Sequence, residues 1–440
     1  MNFTVDEILE ATGAELIRSI NSTETYSIST DSRNIKENQF YLPLKGEKFD
    51  GAAFIDSALS NGAKGIFVSD KALADKNCDF IFLVEDTKIA YLELARFYKR
   101  KVNPVTIAVT GSSGKTTTKE MMFSVVSTAF KSHKSILNHN NEIGLCQTLL
   151  SMPEDTRVLV VEMGMRGLGE IELLSEFAEP DIAIISNVGS AHIGRLGSLE
   201  NIAKAKCEIT SFLDEDGVLI AHDSKLIKNA NAFEGETIYF SLDNEHLEDI
   251  ELSQSGSSFT YKGFRYQLNI EGEYNIENAL AVIEAGLVLG MNESDIAKGL
   301  AEYRPIEKRW ETKNVGGYNV INDSYNANPD SVKAAVKTFL QNADSPKVVV
   351  LGDMGELGDY EKDYHKEIGK YLDDFSFDFL VTVGNLAGLI KPENQKNYKN
   401  FADNKSAAEY IRSNIEKGAN ILLKASRSMK FEEIIEELNK

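Results

Sequence analysis

The feature that most constrains this chain is a β-branched run followed by a glycine turn and a helix start, over residues 105–120. Val105 to Val109 favours a buried strand, Gly111 to Gly114 favours a tight turn, and the chain then continues with a helical pattern. A glycine loop at a helix N-terminus presents backbone N–H groups and the positive end of the helix dipole to a phosphate. Lys115 adds a cation for the β- and γ-phosphates, and the Thr116 hydroxyl can bind Mg²⁺. This stretch therefore predicts a nucleotide-binding loop.

The spacing of the loop departs from the usual P-loop. A standard loop has its first glycine at position 109, where this chain has Val109, and the first glycine here is Gly111. The shorter loop favours a particular subfamily of ATPases over a generic GTPase or kinase. We expect ATP to bind at Gly111, Ser112, Ser113, Gly114, Lys115, Thr116 and Thr117.

Length and charge exclude several classes of protein. The 440 residues suggest about three domains, and the net charge of −21 makes nucleic acid an unfavourable partner. Three scattered cysteines suggest neither disulfides nor zinc. No apolar run is long enough to span a membrane, and the N-terminus lacks a basic leader. We expect a cytoplasmic protein without membrane insertion.

The order of apolar runs and helical patterns predicts an α/β protein of three domains. A basic helix end at Lys99 to Lys101 precedes Pro104, and this marks the end of a small α/β domain, residues 1–103. Buried strands alternating with helices predict a central P-loop domain with a mostly parallel sheet, residues 104–304. The break around Arg304 begins a Rossmann-like, doubly wound domain, residues 305–440.

Two polar loops follow neighbouring strands of the first domain. Each loop alone is typical of an ordinary turn. Together they have the hydroxyls, carboxylates and cations to hold a diphosphate-linked sugar. The candidates are Ser29, Thr30, Asp31, Ser32 and Arg33 in the first loop and Lys45, Gly46, Phe49, Asp50 and Gly51 in the second.

Two buried strands of the central domain end in residues that can bind a metal. Glu162 follows the run from Val158, and His192 lies beyond the run that ends at Ile185. The ligand crevice of such a sheet lies at the carboxyl ends of its strands. We therefore expect Glu162 and His192 near Lys115 and Thr116, as ligands of a phosphate-bound metal.

Lys206 is predicted to face the interior of a helix. Ile202, Lys206, Ile209 and Leu213 fall on one apolar stripe, and Lys204 faces solvent. In one interpretation the Lys206 ammonium reaches out to Glu162 or to a phosphate. In the other, a neutral amine reacts with CO₂ to a carbamate that binds a second Mg²⁺. The sequence pattern does not choose between them.

Asn275 and Asn278 open the last helix of the central domain. Asn275 is explained by a helix cap, but the two amides can also contact an adenine edge. In the third domain the glycines at 352, 355 and 358 do not match the dinucleotide-binding pattern.

Several of these segments together resemble the Mur ligase family of peptidoglycan synthesis, over essentially the whole chain. The segment 110–117 is similar to the ATP loop of that superfamily, which folylpolyglutamate synthases share. The segments 138–144, 187–192, 323–329 and 351–358 are similar to the members that add D-alanyl-D-alanine. One departure is Leu145-Cys146-Gln147, where the family usually has Val-Pro-Leu.

The resemblance implies an ATP-dependent amide ligase that adds D-Ala-D-Ala to UDP-N-acetylmuramoyl-tripeptide through an acyl phosphate. ATP and two Mg²⁺ ions are the implied cofactors, and we expect a monomer. The implied catalytic residues are Lys115, Glu162, His192 and Lys206, and the implied metal ligands are Thr116, Glu162, His192 and carbamylated Lys206. Further implied nucleotide contacts are Asn275, Asn278, Arg309 and Asp323. Besides the two N-terminal loops, the implied substrate contacts are Asn140, Asn141, Tyr325, Asn326 and Asn328.

Two alternatives remain open at this point. One is another amide ligase of the same superfamily, acting on glutamate or a diamino acid. The other is a nucleotide-binding protein that has lost turnover.

Overall fold

The computed structural model describes residues 1–46, 49–136, 139–305 and 308–440. Glu47 and Lys48 of the second predicted N-terminal loop lie outside the described residues. The same holds for Asn138 of the segment 138–144 and for residues 306–307, next to the predicted start of the third domain.

The N-terminal unit is a five-stranded sheet packed against helices. Its strand order is β1-β7-β6-β3-β2, with β1 antiparallel to β7 and the other pairs parallel. Aromatic side chains fill its core, where the rings of Tyr26 and Phe40 stack at 4.3 Å. The elements are α1 (Val5–Thr12), β1 (Glu15–Arg18), β2 (Ser27–Ser29), β3 (Gln39–Tyr41), β4 (Lys45–Gly46), β5 (Phe49–Asp50), α2 (Ile55–Ser60), β6 (Gly65–Val68), β7 (Phe80–Leu83) and α3 (Thr87–Val102).

The central unit is a six-stranded, fully parallel sheet in the order β13-β12-β11-β8-β10-β9, followed by an antiparallel sheet in the order β14-β15-β16. Leu159 and Ile184 in its inner strands are 0% exposed, as expected for strands covered by helices. The elements are β8 (Val105–Thr110), α4 (Lys115–Val126), β9 (Ser132–Lys134), α5 (Glu142–Ser151), β10 (Val158–Glu162), α6 (Glu170–Ala178), β11 (Ile182–Ile185), α7 (Ile193–Leu196), α8 (Leu199–Cys207), β12 (Val218–His222), α9 (Lys225–Ala230), β13 (Glu236–Phe240), β14 (Leu247–Ser253), β15 (Gly256–Tyr261), β16 (Phe264–Leu268), α10 (Glu273–Val288) and α11 (Glu293–Glu302).

The C-terminal unit is a second doubly wound sheet, in the order β17-β18-β22-β19-β20-β21. Only its edge strand β17 runs antiparallel to its neighbour. The elements are β17 (Glu311–Val315), β18 (Tyr318–Asn322), α12 (Pro329–Asn342), β19 (Lys347–Gly352), α13 (Glu361–Leu372), β20 (Phe379–Val383), β21 (Tyr398–Phe401), α14 (Asn404–Asn414), β22 (Asn420–Lys424) and α15 (Glu432–Leu438).

The predicted α/β class is confirmed, and the sheets fall within the three predicted ranges. The domain boundaries themselves stay a prediction. Two local expectations are wrong, one of them only in part. The apolar–polar alternation from Glu236 to Ile270 predicts antiparallel hairpins, and this is confirmed for β14, β15 and β16, but the first strand of the range, β13, is parallel to β12. Gly272, and not Asn275, is the N-cap of α10.

The described helices include none that is long and apolar enough to cross a membrane.

The buried strand β10 gives a stability prediction. Replacing Leu159 by Ala removes most of a fully buried side chain. We expect the free energy of unfolding of the central unit to fall by about 2–5 kcal/mol. Urea denaturation followed by circular dichroism measures the loss. Val105→Ala, at the 39% exposed start of the neighbouring strand β8, is the matched control and should lose much less. Equal losses in the two variants would contradict the packing described here.

Candidate active site

The strand order of the central sheet brings three chain segments together at one edge. β8 lies between β10 and β11, and all three strands run in the same direction. The glycine loop after β8 is therefore flanked by the residues that follow β10 and β11. This is the edge at which open parallel sheets bind their ligands.

The glycine loop is held by the segment after β11. The Asn187 side chain accepts a hydrogen bond from Ser113 N (2.9 Å) and donates one to Ser113 O (3.1 Å). The Ser112 hydroxyl accepts from Gly189 N at 2.9 Å. Gly114 has a left-handed backbone (φ 78°), and a Cβ there would overlap the Asn278 side chain. Neighbouring residues of the central unit thus hold the loop in place.

Glu162 ends β10 as a buried carboxylate, 4% exposed. Its Oε2 accepts a hydrogen bond from the Thr116 hydroxyl at 2.8 Å, and its Oε1 accepts one from Asn140 Nδ2 at 3.0 Å. The predicted approach of Glu162 to the first turn of α4 is therefore observed. A carboxylate and a hydroxyl side by side are oxygen ligands of the type that Mg²⁺ prefers.

Two lysines, Lys115 and Lys206, interact electrostatically with each other at this site. Lys115 Nζ donates to Gly111 O at 2.8 Å, and burial lowers the pKa of Lys115 while the Glu162 charge opposes that shift. Lys206 is 1% exposed on α8, and burial together with the Lys115 charge holds its pKa well below the ordinary lysine value. Within the part of the chain that the structure describes, the Lys206 amine has no hydrogen-bond or ion-pair partner. Lys204 is exposed, as predicted.

The C-terminal unit closes over the glycine loop. Asp330, in the first turn of α12, accepts hydrogen bonds from both the backbone N and the hydroxyl of Ser190, each at 2.7 Å. Asn328 Nδ2 donates to the Ser113 hydroxyl at 3.3 Å. These bonds link residues more than a hundred positions apart and fix the two units around one space.

His192 forms part of the same contact between units. Its Nδ1 lies 2.8 Å from Glu356 Oε2, and this contact lowers the pKa of Glu356. Both residues have left-handed backbones, with φ of 65° for His192 and 63° for Glu356. Such backbone conformations are unfavourable for residues other than glycine, and they concentrate at functional sites. Nearby, Gly194 and Gly358 approach so closely that a Cβ on either residue would overlap the other backbone.

Arg309 and Asp323 extend from the C-terminal unit toward this space. The Arg309 guanidinium lies 4.0 Å from the centre of the Tyr325 ring, and its buried Nε has no hydrogen-bond partner among the described residues. Asp323 accepts from Lys424 Nζ at 2.6 Å and from Trp310 N at 3.3 Å. An unpartnered guanidinium nitrogen is suited to an anionic ligand.

A cavity of about 1300 Å³ lies between the central and C-terminal units. Most of the predicted site residues line it. They are Ser112, Ser113, Gly114, Lys115, Thr116, Thr117, Asn140, Asn141, Glu162, His192, Asn275, Asn278, Arg309, Asp323, Tyr325, Asn326 and Asn328. Some have internal partners as well, since Asn141 caps α5 and Asn328 caps α12.

The remaining predicted residues do not line this cavity. Gly111 and Lys206 are not part of the cavity lining, although the Lys115 charge lowers the pKa of the buried Lys206. The ten residues of the two N-terminal loops also lie apart from it. The N-terminal unit contributes Lys88 to the cavity lining instead, and Lys88 pairs with Glu142 at 3.7 Å.

The two N-terminal loops nevertheless come together, as predicted, around Tyr41. The Tyr41 hydroxyl donates to Gly51 O in the second loop at 2.9 Å. Burial and the charges of Asp31 and Asp50 raise the pKa of Tyr41, while a hydrogen bond with Ser32 lowers it. In the first loop Arg33 forms a two-pronged pair with Asp31 (2.9 and 3.0 Å), which lowers the pKa of that carboxyl.

Sequence reasoning missed several residues of the site. Asn187, Asp330, Glu356 and Lys424 all line the cavity and hold its parts in place. Each of them ends or follows a buried strand or lies in the first turn of a helix, and this position was a usable signal, but their partners lie in distant segments.

Three family models match successive parts of the chain. Residues 24–100 match the model described as the Mur ligase family, catalytic domain. Residues 109–286 match the Mur ligase middle domain, and residues 308–427 match the Mur ligase glutamate ligase domain.

A UDP-N-acetylmuramoyl-tripeptide–D-alanyl-D-alanine ligase of Bacillus subtilis is 40% identical over 427 residues, covering 94% of this chain and 93% of the relative. The chain belongs to the Mur ligase family. A Mur ligase crystal structure, MurF from Acinetobacter baumannii, matches with a TM-score of 0.92 at 30% identity and covers 100% of this chain and 99% of that one. MurF from Thermotoga maritima in complex with ADP matches with a TM-score of 0.85 at 29% identity and covers 94% of this chain and 97% of that one. The predicted family, three-part α/β fold and enzyme class, a ligase, are confirmed.

The left-handed Gly114 gives a prediction for this Mur ligase. Gly114→Ala places a methyl group against Asn278, and we expect ADP affinity to fall about tenfold or more, the equivalent of about 1.4 kcal/mol. Isothermal titration calorimetry measures the affinity. Gly290→Ala is the matched control, because Gly290 has a similar φ of 75° with open space around it. Unchanged ADP binding by Gly114→Ala would contradict the placement of the nucleotide loop.

Proposed function

We propose that this chain adds D-alanyl-D-alanine to UDP-N-acetylmuramoyl-tripeptide with hydrolysis of ATP, in peptidoglycan synthesis. The observation that carries the proposal is the cavity between two units, in which the glycine loop, Glu162 and Arg309 all face one space. The names of the relatives agree with the predicted reaction. ATP as the nucleotide also agrees with the ADP complex of the T. maritima relative.

The first step transfers a phosphoryl group. A terminal carboxylate oxygen of the tripeptide attacks the γ-phosphorus of ATP, the bond to the β-phosphate oxygen breaks, and an acyl phosphate and ADP result. A carboxylate and a triphosphate repel each other, so cations must offset their charges. Lys115 at the glycine loop and Arg309 on the facing unit are in place to do so.

The second step forms the amide. The free amine of D-Ala-D-Ala attacks the acyl carbon, a tetrahedral intermediate forms, and the C–O bond to phosphate breaks as the amine loses its proton. Since the reactants must approach to about 3 Å, a site shared by two units requires closure. The Ser190–Asp330 and His192–Glu356 contacts are the closing contacts in this structure.

The residues present fit a magnesium site at the glycine loop. Thr116 and Glu162 supply adjacent hydroxyl and carboxylate oxygens, 2.8 Å apart, beside the phosphate-binding loop. We propose that they hold one Mg²⁺, which when bound neutralises phosphate charge. Among the described residues, no three His, Cys, Asp or Glu side chains lie close enough together to form a metal site. The second predicted ion therefore needs a ligand of another residue type.

For that second ion we propose His192 together with Lys206 as a carbamate. The buried Lys206 amine has no ion pair among the described residues, and its lowered pKa favours the neutral, nucleophilic form. Attack of the amine nitrogen on CO₂ forms an N–C bond and releases a proton. The product is an anionic oxygen ligand close to Lys115.

The two N-terminal loops are the proposed site for one end of the substrate. We assign the UDP-sugar end of the substrate to the two loops around Tyr41, which lie outside the cavity lining. The reaction is placed in the cytoplasm, because ATP and UDP-linked precursors are supplied there. The monomeric state stays a prediction.

A phosphate-release panel tests the function. Purified protein with ATP, Mg²⁺ and the UDP-tripeptide is offered D-Ala-D-Ala, L-lysine, meso-diaminopimelate or glutamate in turn. We expect release of phosphate with D-Ala-D-Ala only, and its loss in Lys115→Ala. Turnover with another amine would favour the rival amide ligase, and no turnover with any of them would favour a nucleotide-binding protein without activity.

Lys206→Ala tests the carbamate. We expect ligation to fall at least about a hundredfold, since metal-ion stabilisation of charge is worth several kcal/mol in such sites. Short carboxylic acids such as acetate should restore part of the activity, because they return an oxygen ligand to the space. Lys204→Ala, two positions earlier on the exposed face of α8, is the matched control. Full activity of Lys206→Ala would remove the carbamate from the mechanism.

A further inference from the structure

Lys119 is a cation that lies entirely inside the central unit, one turn after Lys115 on α4. Its side chain is 0% exposed, on the same inward stripe as Met122 and Val126. Burial of an ammonium group is strongly unfavourable unless other groups compensate for the lost water. A hydrophobic side chain would fill this position without that penalty, so the charge itself needs an explanation.

The Lys119 ammonium donates a hydrogen bond to the main chain of Ser135 and lies within ion-pair distance of the Glu120 and Glu162 carboxylates. Its Nζ donates to Ser135 O at 2.9 Å and lies 3.1 Å from Glu120 Oε1 and 3.9 Å from Glu162 Oε2. The Ser135 hydroxyl in turn accepts from Glu162 N at 3.2 Å. Lys119 and Ser135 therefore form a bracket around the end of β10.

Lys119 and Ser135 contact the Glu162 region without lining the ligand cavity. Thr116 donates to one Glu162 oxygen and Asn140 to the other, but both lie in segments that contact the ligand cavity. Lys119 does not line that cavity. Its charge therefore acts on Glu162 from the protein interior, where electrostatic interactions are stronger than in water.

We propose that Lys119 is a positioning residue for the magnesium site: it holds the Glu162 carboxylate in the orientation that takes the metal, without contacting metal or nucleotide. The proposal rests on the proposed function, in which Glu162 binds Mg²⁺. The ammonium has two opposing effects on the metal, since its charge repels Mg²⁺ while its contacts orient the Glu162 carboxylate. Groups that orient a metal ligand typically contribute about 10- to 100-fold in metal affinity, so the orientation of Glu162 dominates over the repulsion.

The test measures ADP binding by calorimetry in EDTA and across a Mg²⁺ titration. In Lys119→Met we expect the Mg²⁺ concentration for half-maximal enhancement to rise about tenfold or more, with metal-free ADP affinity within about twofold of the unaltered chain. Lys134→Met is the matched control, because Lys134 pairs with the same Glu120 and lies over the Phe123 ring at 4.2 Å. We expect it to change neither quantity. An equal loss with and without Mg²⁺, or an unchanged or lower Mg²⁺ requirement in Lys119→Met, overturns the proposal.

Two further variants separate the possible failures. If Glu162→Gln leaves the Mg²⁺ dependence unchanged, the proposed metal site fails, and the role of Lys119 fails with it. If Glu162→Gln abolishes the dependence and Lys119→Met does not alter it, only the positioning role fails. Should Lys119→Met not fold, the charge-balanced double variant Lys119→Met, Glu120→Gln is measured in its place. Failure of both to fold assigns Lys119 a purely structural role and overturns the inference.

Discussion

Burial of the Glu162 carboxylate is the constraint on which the site depends. A carboxylate with so little contact to water is tolerated only where donors and cations surround it. Thr116 and Lys119 of α4 provide them from one side, and Asn140 of the segment between β9 and α5 provides them from the other. The glycine loop, the β9 side of the sheet and the end of β10 are therefore held in one arrangement by a single side chain. Because the Thr116 hydroxyl belongs to the first turn of α4, the same arrangement points Glu162 at the phosphate-binding loop.

The second half of the site comes from a separate unit, and its docking depends on backbone proximity as much as on charge. Gly194 and Gly358 permit an approach that no side chain would allow. Asp330 and Glu356 then contact Ser190 and His192 of the segment after β11. Since that segment also holds the glycine loop through Asn187, closure of the C-terminal unit and the geometry of the nucleotide loop are mechanically linked.

Much of the fold and of the candidate site was predictable from the sequence, because the strongest sequence signals were local. The glycine loop, the strand before Glu162 and the inward position of Lys206 each follow from a few neighbouring residues. The short edge strands β1, β17 and β21 were missed because their largely exposed faces lack a run of buried residues. The contact of Asn187 with the glycine loop and the contact of Asp330 with Ser190 were missed because partners 74 and 140 positions apart leave no local pattern. Lys119 was within reach, since the stripe argument that was applied to Lys206 applies equally to Lys119, Met122 and Val126.

The account is tested most directly by locating the metal. Crystals grown with ADP and Mn²⁺ as a substitute for Mg²⁺, measured at the manganese absorption edge, would show the ion by its anomalous signal. The account predicts a peak in coordination contact with the Glu162 carboxylate and next to the Thr116 hydroxyl, at about 2.0–2.3 Å from the ligating oxygens. A nucleotide-bound ion with no contact to Glu162 would contradict it.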